Sequence, residues 1–303
     1  MKRMYGNLLL LLTAIIWGCA FVAQSAGMDH VGPFTYQATR SLLGAIVLIP
    51  VFLMTDRQKK KQGTYKPMTS KDKKMLWLGG ICCGLALCVA ANLQQVGILY
   101  TTVGKAGFIT ALYILIVPIF GLFFRKKVRP LLWICVGIAV VGLYLLCMSE
   151  TLTIAKGDLY VFACAIVFAV HILVIDHFAP HVDCVRMSCI QFLVTAVLSG
   201  VLMLIFEEPK WSDISAAWLS IGYAGIFSCG VAYTLQIVAQ KHTQPVVASL
   251  LLSLESVVAV IAGIILLKEM PTVKEAIGCV LMFAAIILAQ LPEKRKELPP
   301  ISE

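Results

Sequence analysis

The sequence predicts an all-α integral membrane fold of ten transmembrane helices, arranged as two inverted five-helix repeats, and three observations carry that expectation. Hydrophobic residues make up 60% of the 303-residue chain and charged residues only 14%, with a mean hydropathy of +0.90, a composition outside the range of soluble domains. Ten apolar stretches of spanning length follow one another with short connections. The two halves also match each other at nearly constant offsets. Gly6 falls on Gly157 and Arg40 on Gln191 at an offset of 151, Gln94 on Gln236 at 142, and Pro130 and Gly137 on Pro271 and Gly278 at 141. The drop reflects a long basic loop, 55–74, that the second half lacks. Five segments per half is an odd number, so the second half must lie in the membrane upside down relative to the first.

The first segment, Asn7 to Gln24, follows Lys2 and Arg3 and superficially resembles a secretory leader. It is too long for one, and Gly18-Cys19-Ala20-Phe21 continues apolar where an A-x-A-like cleavage site would stand, so it is expected to remain as a helix that also directs insertion. Phe34 to Met54 begins after Gly32-Pro33 and contains Arg40; Met75 to Val96, Thr102 to Phe124 and Pro130 to Met148 complete a first repeat over 6–148. Gly157 to Phe178, Cys184 to Phe206, Ile214 to Ala239, Pro245 to Leu267 and Val273 to Leu291 form the second, over 157–291, followed by a tail, 292–303. At about 20 residues each these segments use roughly two-thirds of the chain and leave no room for a soluble domain.

The net charge of +9 invites a nucleic-acid reading, but its placement argues against one. With the N-terminus inside, cytoplasmic segments hold 19 Lys and Arg residues and external loops 4, which predicts both termini in the cytoplasm of a multi-pass protein of the plasma membrane. Residues 57–74 and 125–129 then lie against anionic lipid. All eleven cysteines fall within or at the ends of apolar segments without a CxxC pair, and are expected to pack as small hydrophobes rather than form disulfides or a zinc site. Gly80-x-x-x-Gly84 permits close helix contact, either inside the bundle or between two copies in a homodimer.

Trp17-Gly18-x-x-Phe21, Gly32-Pro33 with Arg40 beyond it, Ala106-Gly107-Phe108-Ile109-Thr110-x-Leu112-Tyr113 leading to Pro118, and Glu269-x-Pro271-Thr272 followed by Gly278 are similar to the EamA-type repeats of the drug/metabolite transporter superfamily. The resemblance covers roughly residues 6–291. It implies a ten-helix carrier whose two repeats surround a central cavity and which moves small metabolites, often amino acids or amphipathic drugs. Two positions depart from the family pattern. Glu255-Ser256 stands where Glu-Pro is common, and Lys126-Lys127-Val128 replaces the first-half counterpart of Glu269. The serine predicts a ninth helix less kinked than the pattern.

Glu255 is the only ionisable side chain between Pro245 and Leu267. A charge at the centre of such a segment costs roughly 2.5–3.5 kcal/mol on insertion scales, so it is expected to face protein or a wet cavity. On an unbroken helix it shares a face with Ala248, Ala259 and Ala262, while Ser249, Ser253 and Ser256 form a neighbouring stripe. It either binds an ammonium group or a coupling proton, or is bonded to one neighbour in a small-residue packing face. Arg40, about 9 Å below the external boundary at 1.5 Å per residue, is either a carboxylate clamp or a structural charge bonded to carbonyls near Gly32 and Pro33.

Lys105 is either a gate residue or an interfacial anchor. Gly97 to Lys105 fails the Walker pattern, since Ala106 follows the lysine, and no ATP site or other cofactor is implied. Asn92 and Gln95 crowd the external end of the third segment and Tyr233 lies in the eighth; these three are cavity candidates, whereas the repeat relation of Gln94 and Gln236 suggests an architectural role for that pair. His171, about 21 Å into its helix, is the candidate proton-handling partner of Glu255 or a neutral histidine bonded to a carbonyl. Trp17, Phe21, Tyr113 and Phe168 lie at mid-helix depth, either lining a cavity suited to cationic or amphipathic cargo or simply packing. Asp176, His177, His181 and Asp183 resemble a metal cluster, but Pro180 breaks the helix there and a cytoplasmic turn is expected instead.

These features predict a secondary transporter that exports small organic metabolites, amino acids or drugs by alternating access, with proton coupling an open point. A lipid-acting membrane enzyme would need clustered metal ligands or a nucleophile with a base, and neither is visible. A non-transporting receptor or scaffold would need a soluble domain to pass on a signal.

Overall fold

The computed structural model describes residues 2–101, 103–123, 128–147, 155–258, 261 and 272–291. In chain order its α-helices are α1 (Lys2–Met28), α2 (Pro33–Lys61), α3 (Ser70–Ile98), α4 (Val103–Ala111), α5 (Tyr113–Phe123), α6 (Pro130–Cys147), α7 (Lys156–Phe178), α8 (Cys184–Phe206), α9 (Trp211–Ala216), α10 (Trp218–Tyr223), α11 (Tyr233–Gln240), α12 (Pro245–Leu252) and α13 (Val273–Gln290). A 3₁₀ turn, Ala179–His181, joins α7 to α8, and a π-helical stretch, Ala224–Ala232, joins α10 to α11. Among the described residues, seven helical runs are long and apolar enough to cross a membrane, and three shorter apolar ones fall in the fifth, ninth and tenth expected segments. Leu8, Ile46, Leu85, Val197, Leu204 and Phe283 are among many large apolar side chains that point outward, the surface a bilayer accepts and water does not.

Much of the basic loop expected at 55–74 is helical. α2 continues to Lys61, with Lys59, Lys60 and Lys61 in its last turn, where cations suit the helix dipole. α3 begins at Ser70 behind a capping box: the Asp72 backbone N–H donates to the Thr69 hydroxyl, and the Asp72 carboxylate accepts from the Thr69 backbone N–H at 3.0 Å. Hydropathy marks where a helix leaves hydrocarbon, not where its hydrogen bonds stop.

The two halves interdigitate through contacts that recur at the repeat offsets. α2 and α8 run antiparallel and are tied at both ends. At one end the Glu207 carboxylate accepts the backbone N–H groups of Phe34 and Thr35 at 2.9 and 2.8 Å and the Thr35 hydroxyl at 2.6 Å. At the other the Arg186 guanidinium bonds the Asp56 carboxylate and lies over the Phe52 ring. Thr35 matches Arg186 and Asp56 matches Glu207 at the offset of 151, so one tie is built twice with different chemistry. Glu207→Ala leaves two first-turn N–H groups of α2 without their acceptor, and a destabilisation of roughly 1–3 kcal/mol is expected. Thermal unfolding in detergent should fall accordingly, while Glu207→Gln, which keeps an oxygen, should lose less.

The matched glycines have the same kind of duplicated role. A Cβ on Gly6 would lie 3.1 Å from the Ala239 carbonyl oxygen, and one on Gly157 would lie 2.6 Å from the Gly97 carbonyl oxygen. Beside them Thr243 donates to Asn7 at 3.3 Å and Thr101 to Asp158 at 2.6 Å. Each repeat thus seats the start of its first helix against the end of the other repeat's third. Gly80 and Gly84 pack against Ile190 and Val194 of α8, so the small-residue face of α3 is occupied within the chain.

A central cavity at the meeting of two broken helices

Both repeats interrupt their fourth helix at equivalent positions. α4 ends at Ala111, Leu112 forms a turn, and α5 restarts at Tyr113; α12 ends at Leu252, Ser253 and Leu254 form a turn, and the helix resumes at Glu255. An offset of 142 carries Tyr113 onto Glu255. The two residues that restart these helices meet: the Tyr113 hydroxyl donates to Glu255 Oε1 at 3.2 Å. In the first half Pro118 removes the hydrogen bond owed to the Ile114 carbonyl, one turn beyond the break. In the second half the Ser249 and Ser253 hydroxyls bond the carbonyls of Val246 and Leu250, and short i→i−3 bonds from Leu254 to Leu251 and from Ser256 to Ser253 tighten the turn. The ninth helix is therefore interrupted despite Ser256 standing in place of proline. The Ser253 hydroxyl takes up the Leu250 carbonyl, whose usual helical donor, the Leu254 N–H, has turned to Leu251.

Around this contact is a cavity of about 40 Å³, lined by residues of both repeats. Its lining contains six pairs related by the repeat offsets: Trp17 with Phe168, Ala20 with His171, Phe21 with Ile172, Gln94 with Gln236, Thr110 with Leu252, and Tyr113 with Glu255. The cavity straddles the internal symmetry axis, and its carboxyl, guanidinium and imidazole groups come from positions where the two repeats differ. Glu255 corresponds to a tyrosine, His171 to an alanine, and Arg40, which also lines it, to Gln191 outside it. Glu255 is 4% exposed and Arg40 5%, so both side chains are held away from bulk water. Tyr233 lines the same space, with its ring 4.5 Å from that of Trp17 and 6.0 Å from that of His171.

The expected site residues divide. Trp17, Phe21, Tyr113, His171, Tyr233 and Glu255 gather in the cavity. Arg40 joins them: its Nε donates to Gln37 Oε1 at 2.6 Å and its guanidinium lies 5.4 Å from the Tyr36 ring centroid, rather than capping carbonyls near Gly32. Asn92 lies elsewhere, donating to Ser199 and to the Cys88 carbonyl at 2.8 Å each, between α3 and α8. Gln95 is fully buried outside the cavity. Its neighbour Gln94 lines the cavity and donates to Thr110 Oγ1 at 3.1 Å, and Gln236 lines the cavity as well, so the matched amides given an architectural role are the ones that face the space. His171 bonds Gln191 at 3.2 Å rather than Glu255. The Lys105 side chain, with Ala259 and Ala262, lies outside the described residues.

Asp183 accepts from the Arg186 backbone N–H and lies 3.8 Å from Lys59, His181 bonds the His177 carbonyl, and no metal-binding cluster occurs among the described residues. Gln24 and Ser228 complete the lining and escaped sequence reasoning altogether. The pairings of Trp17 with Phe168 and of Tyr113 with Glu255 were readable from the offsets alone. Three cavity-facing side chains have a buried polar atom without a protein partner: Trp17 Nε1, Gln24 Oε1 and Gln236 Oε1. With Arg40 and Glu255 they offer donors and acceptors to a small polar molecule.

Comparison with known proteins agrees with this architecture. The chain is 28% identical over 296 residues to an uncharacterized transporter of Archaeoglobus fulgidus, an alignment covering 96% of this chain and 87% of that protein. It is 23% identical over 294 residues to the uncharacterized transporter YoaV of Bacillus subtilis, covering 94% and 96%. A solved crystal structure shares the fold with a TM-score of 0.76 at 20% identity, over 94% of this chain and 96% of that one. The model of the EamA-like transporter family matches residues 4–148 and again 155–291, and the chain is accordingly a multi-pass membrane protein belonging to that family.

Proposed function

We propose that this protein is a secondary transporter that exports small organic metabolites across the plasma membrane by alternating access, with both termini in the cytoplasm. The observation that carries the proposal is the coexistence, in one cavity on the repeat axis, of a buried carboxylate, a buried guanidinium and three polar atoms without partners. An unpaired buried polar group costs about 1–3 kcal/mol, and a cargo that completes these bonds accounts for their retention. Glu255 and the faces of Trp17 and Tyr233 suit an amino group, and the forked donors of Arg40 suit an acid. Amino acids, and amphipathic drugs with the same groups, are the cargo class that fits. The volume of about 40 Å³ is far below the roughly 300–1,000 Å³ of ligand pockets. Loading therefore requires the cavity to widen, as alternating access supplies.

The test is a metabolite panel screened for thermal stabilisation of the purified protein, followed by flux of each hit into and out of proteoliposomes without ATP. Counterflow of at least one stabilising amino acid or drug is expected. Stabilisation without flux under any imposed gradient would favour a receptor, and flux only when ATP is supplied would exclude a secondary carrier.

A further inference from the structure

A second, larger cavity of about 510 Å³ lies at the face that carries the start of α1 and the end of α13. Four helices line both it and the central cavity. α5 contributes Tyr113 to the centre and Val117 and Gly121 to the larger space; α7 contributes Ile172 to one and Leu173 and Asp176 to the other; α11 contributes Gln236 and Gln240. α12 runs the opposite way, with Leu252 at the centre and Val246 at the mouth. The wall between the two is one helical turn thick, about 6 Å from residue 236 to 240.

We propose that this space is the inner vestibule of the transport path and that Gln240 is the gate between vestibule and cavity, an assignment that rests on the transporter reading above. Gln240 is 3% exposed and lines the vestibule. Its Nε2 donates to the Ile172 carbonyl at 3.0 Å, tying α11 to the residue that forms the cavity's wall, while its Oε1 has no protein partner. One hydrogen bond thus closes the layer, and the free oxygen offers passing cargo an acceptor once that bond opens. The repeat equivalent of Gln240 is apolar Ile98, so the polar gate belongs to this face alone.

Two cysteine reporters test this in reconstituted protein with a membrane-impermeant methanethiosulfonate applied separately to each face, each rate measured against the protein without the reporter. Gln244→Cys, at an exposed vestibule position, should react from the terminus-bearing face whatever stands at 240. Leu252→Cys, in the cavity wall, should react slowly with Gln240 present and about fivefold to tenfold faster from that face with Gln240→Ala, the population shift that loss of one neutral hydrogen bond produces. Gln240→Leu keeps the bulk but removes the same hydrogen bond and the free oxygen, and should likewise raise the reporter's rate while slowing flux. Thermal unfolding of each variant identifies misfolding as a cause of reactivity. Equal reactivity of Leu252→Cys with Gln, Ala and Leu at 240, or reactivity from the opposite face only, would overturn the gate. A failure of the transporter reading shows instead as absent flux with the labelling pattern intact.

Discussion

Glu255→Gln is expected to lower flux of an amino-group cargo by about tenfold to a hundredfold, the equivalent of the roughly 1.5–3 kcal/mol that a hydrogen bond to a charged group contributes. The substitution preserves shape and the oxygen that accepts from Tyr113, so the cavity geometry should survive. Unfolding temperature without cargo should hold or rise, because a buried ionisable carboxyl becomes a neutral amide and, among the described residues, Glu255 has no ion-pair partner to lose. Tyr113→Phe removes only the neutral donor and should have a smaller effect. Flux measured across pH separates two roles. If the Gln variant binds weakly but keeps the parent's pH profile, Glu255 is a cargo ligand and not the coupling group; if its flux is normal at every pH, the residue has neither role.

Gly157→Val should produce the largest loss of stability among single changes at the repeat seams. A Cβ there would lie 2.6 Å from the Gly97 carbonyl oxygen, 2.7 Å from the Tyr100 carbonyl carbon and 3.0 Å from the Thr101 nitrogen. All three are backbone atoms at the end of α3, which cannot rotate aside, so α7 must move. Overpacking of this kind costs about 1–3 kcal/mol. Displacing the start of α7 also shifts Phe168, His171 and Ile172, and flux should fall with stability. Gly137→Ala is the control. Among the described residues nothing lies within 4 Å of its Cβ position, and removing a helix-interior glycine should stabilise by about 0.5–1 kcal/mol. Comparable melting temperatures for Gly157→Val and the parent would show that the seam tolerates separation.

Residues 92, 94 and 95 show how far sequence reasoning reached. All three amides lie near one end of α3, and hydropathy places them at the same depth. Successive residues turn by about 100°, so a small rotation of the helix decides which one faces the cavity. Gly80 and Gly84 against α8 and Gly97 against α7 set that rotation and bring Gln94 to the cavity while Asn92 meets Ser199. No local signal carries this information. His171 likewise has a depth that sequence gives and a partner, Gln191, that only packing selects.

By itself the sequence determined the membrane class, the ten segments, the inverted relation of the halves and the requirement that Glu255 face protein, since apolar length, repeat offset and the cost of a charge in lipid act along the chain. Tertiary structure alone decided that Glu255 meets its own repeat counterpart at a double helix break, which amides line the cavity, and where Arg40 points. Those outcomes depend on how helices distant in sequence rotate against one another, and that rotation is fixed by close backbone approach and by hydrogen bonds between the two repeats.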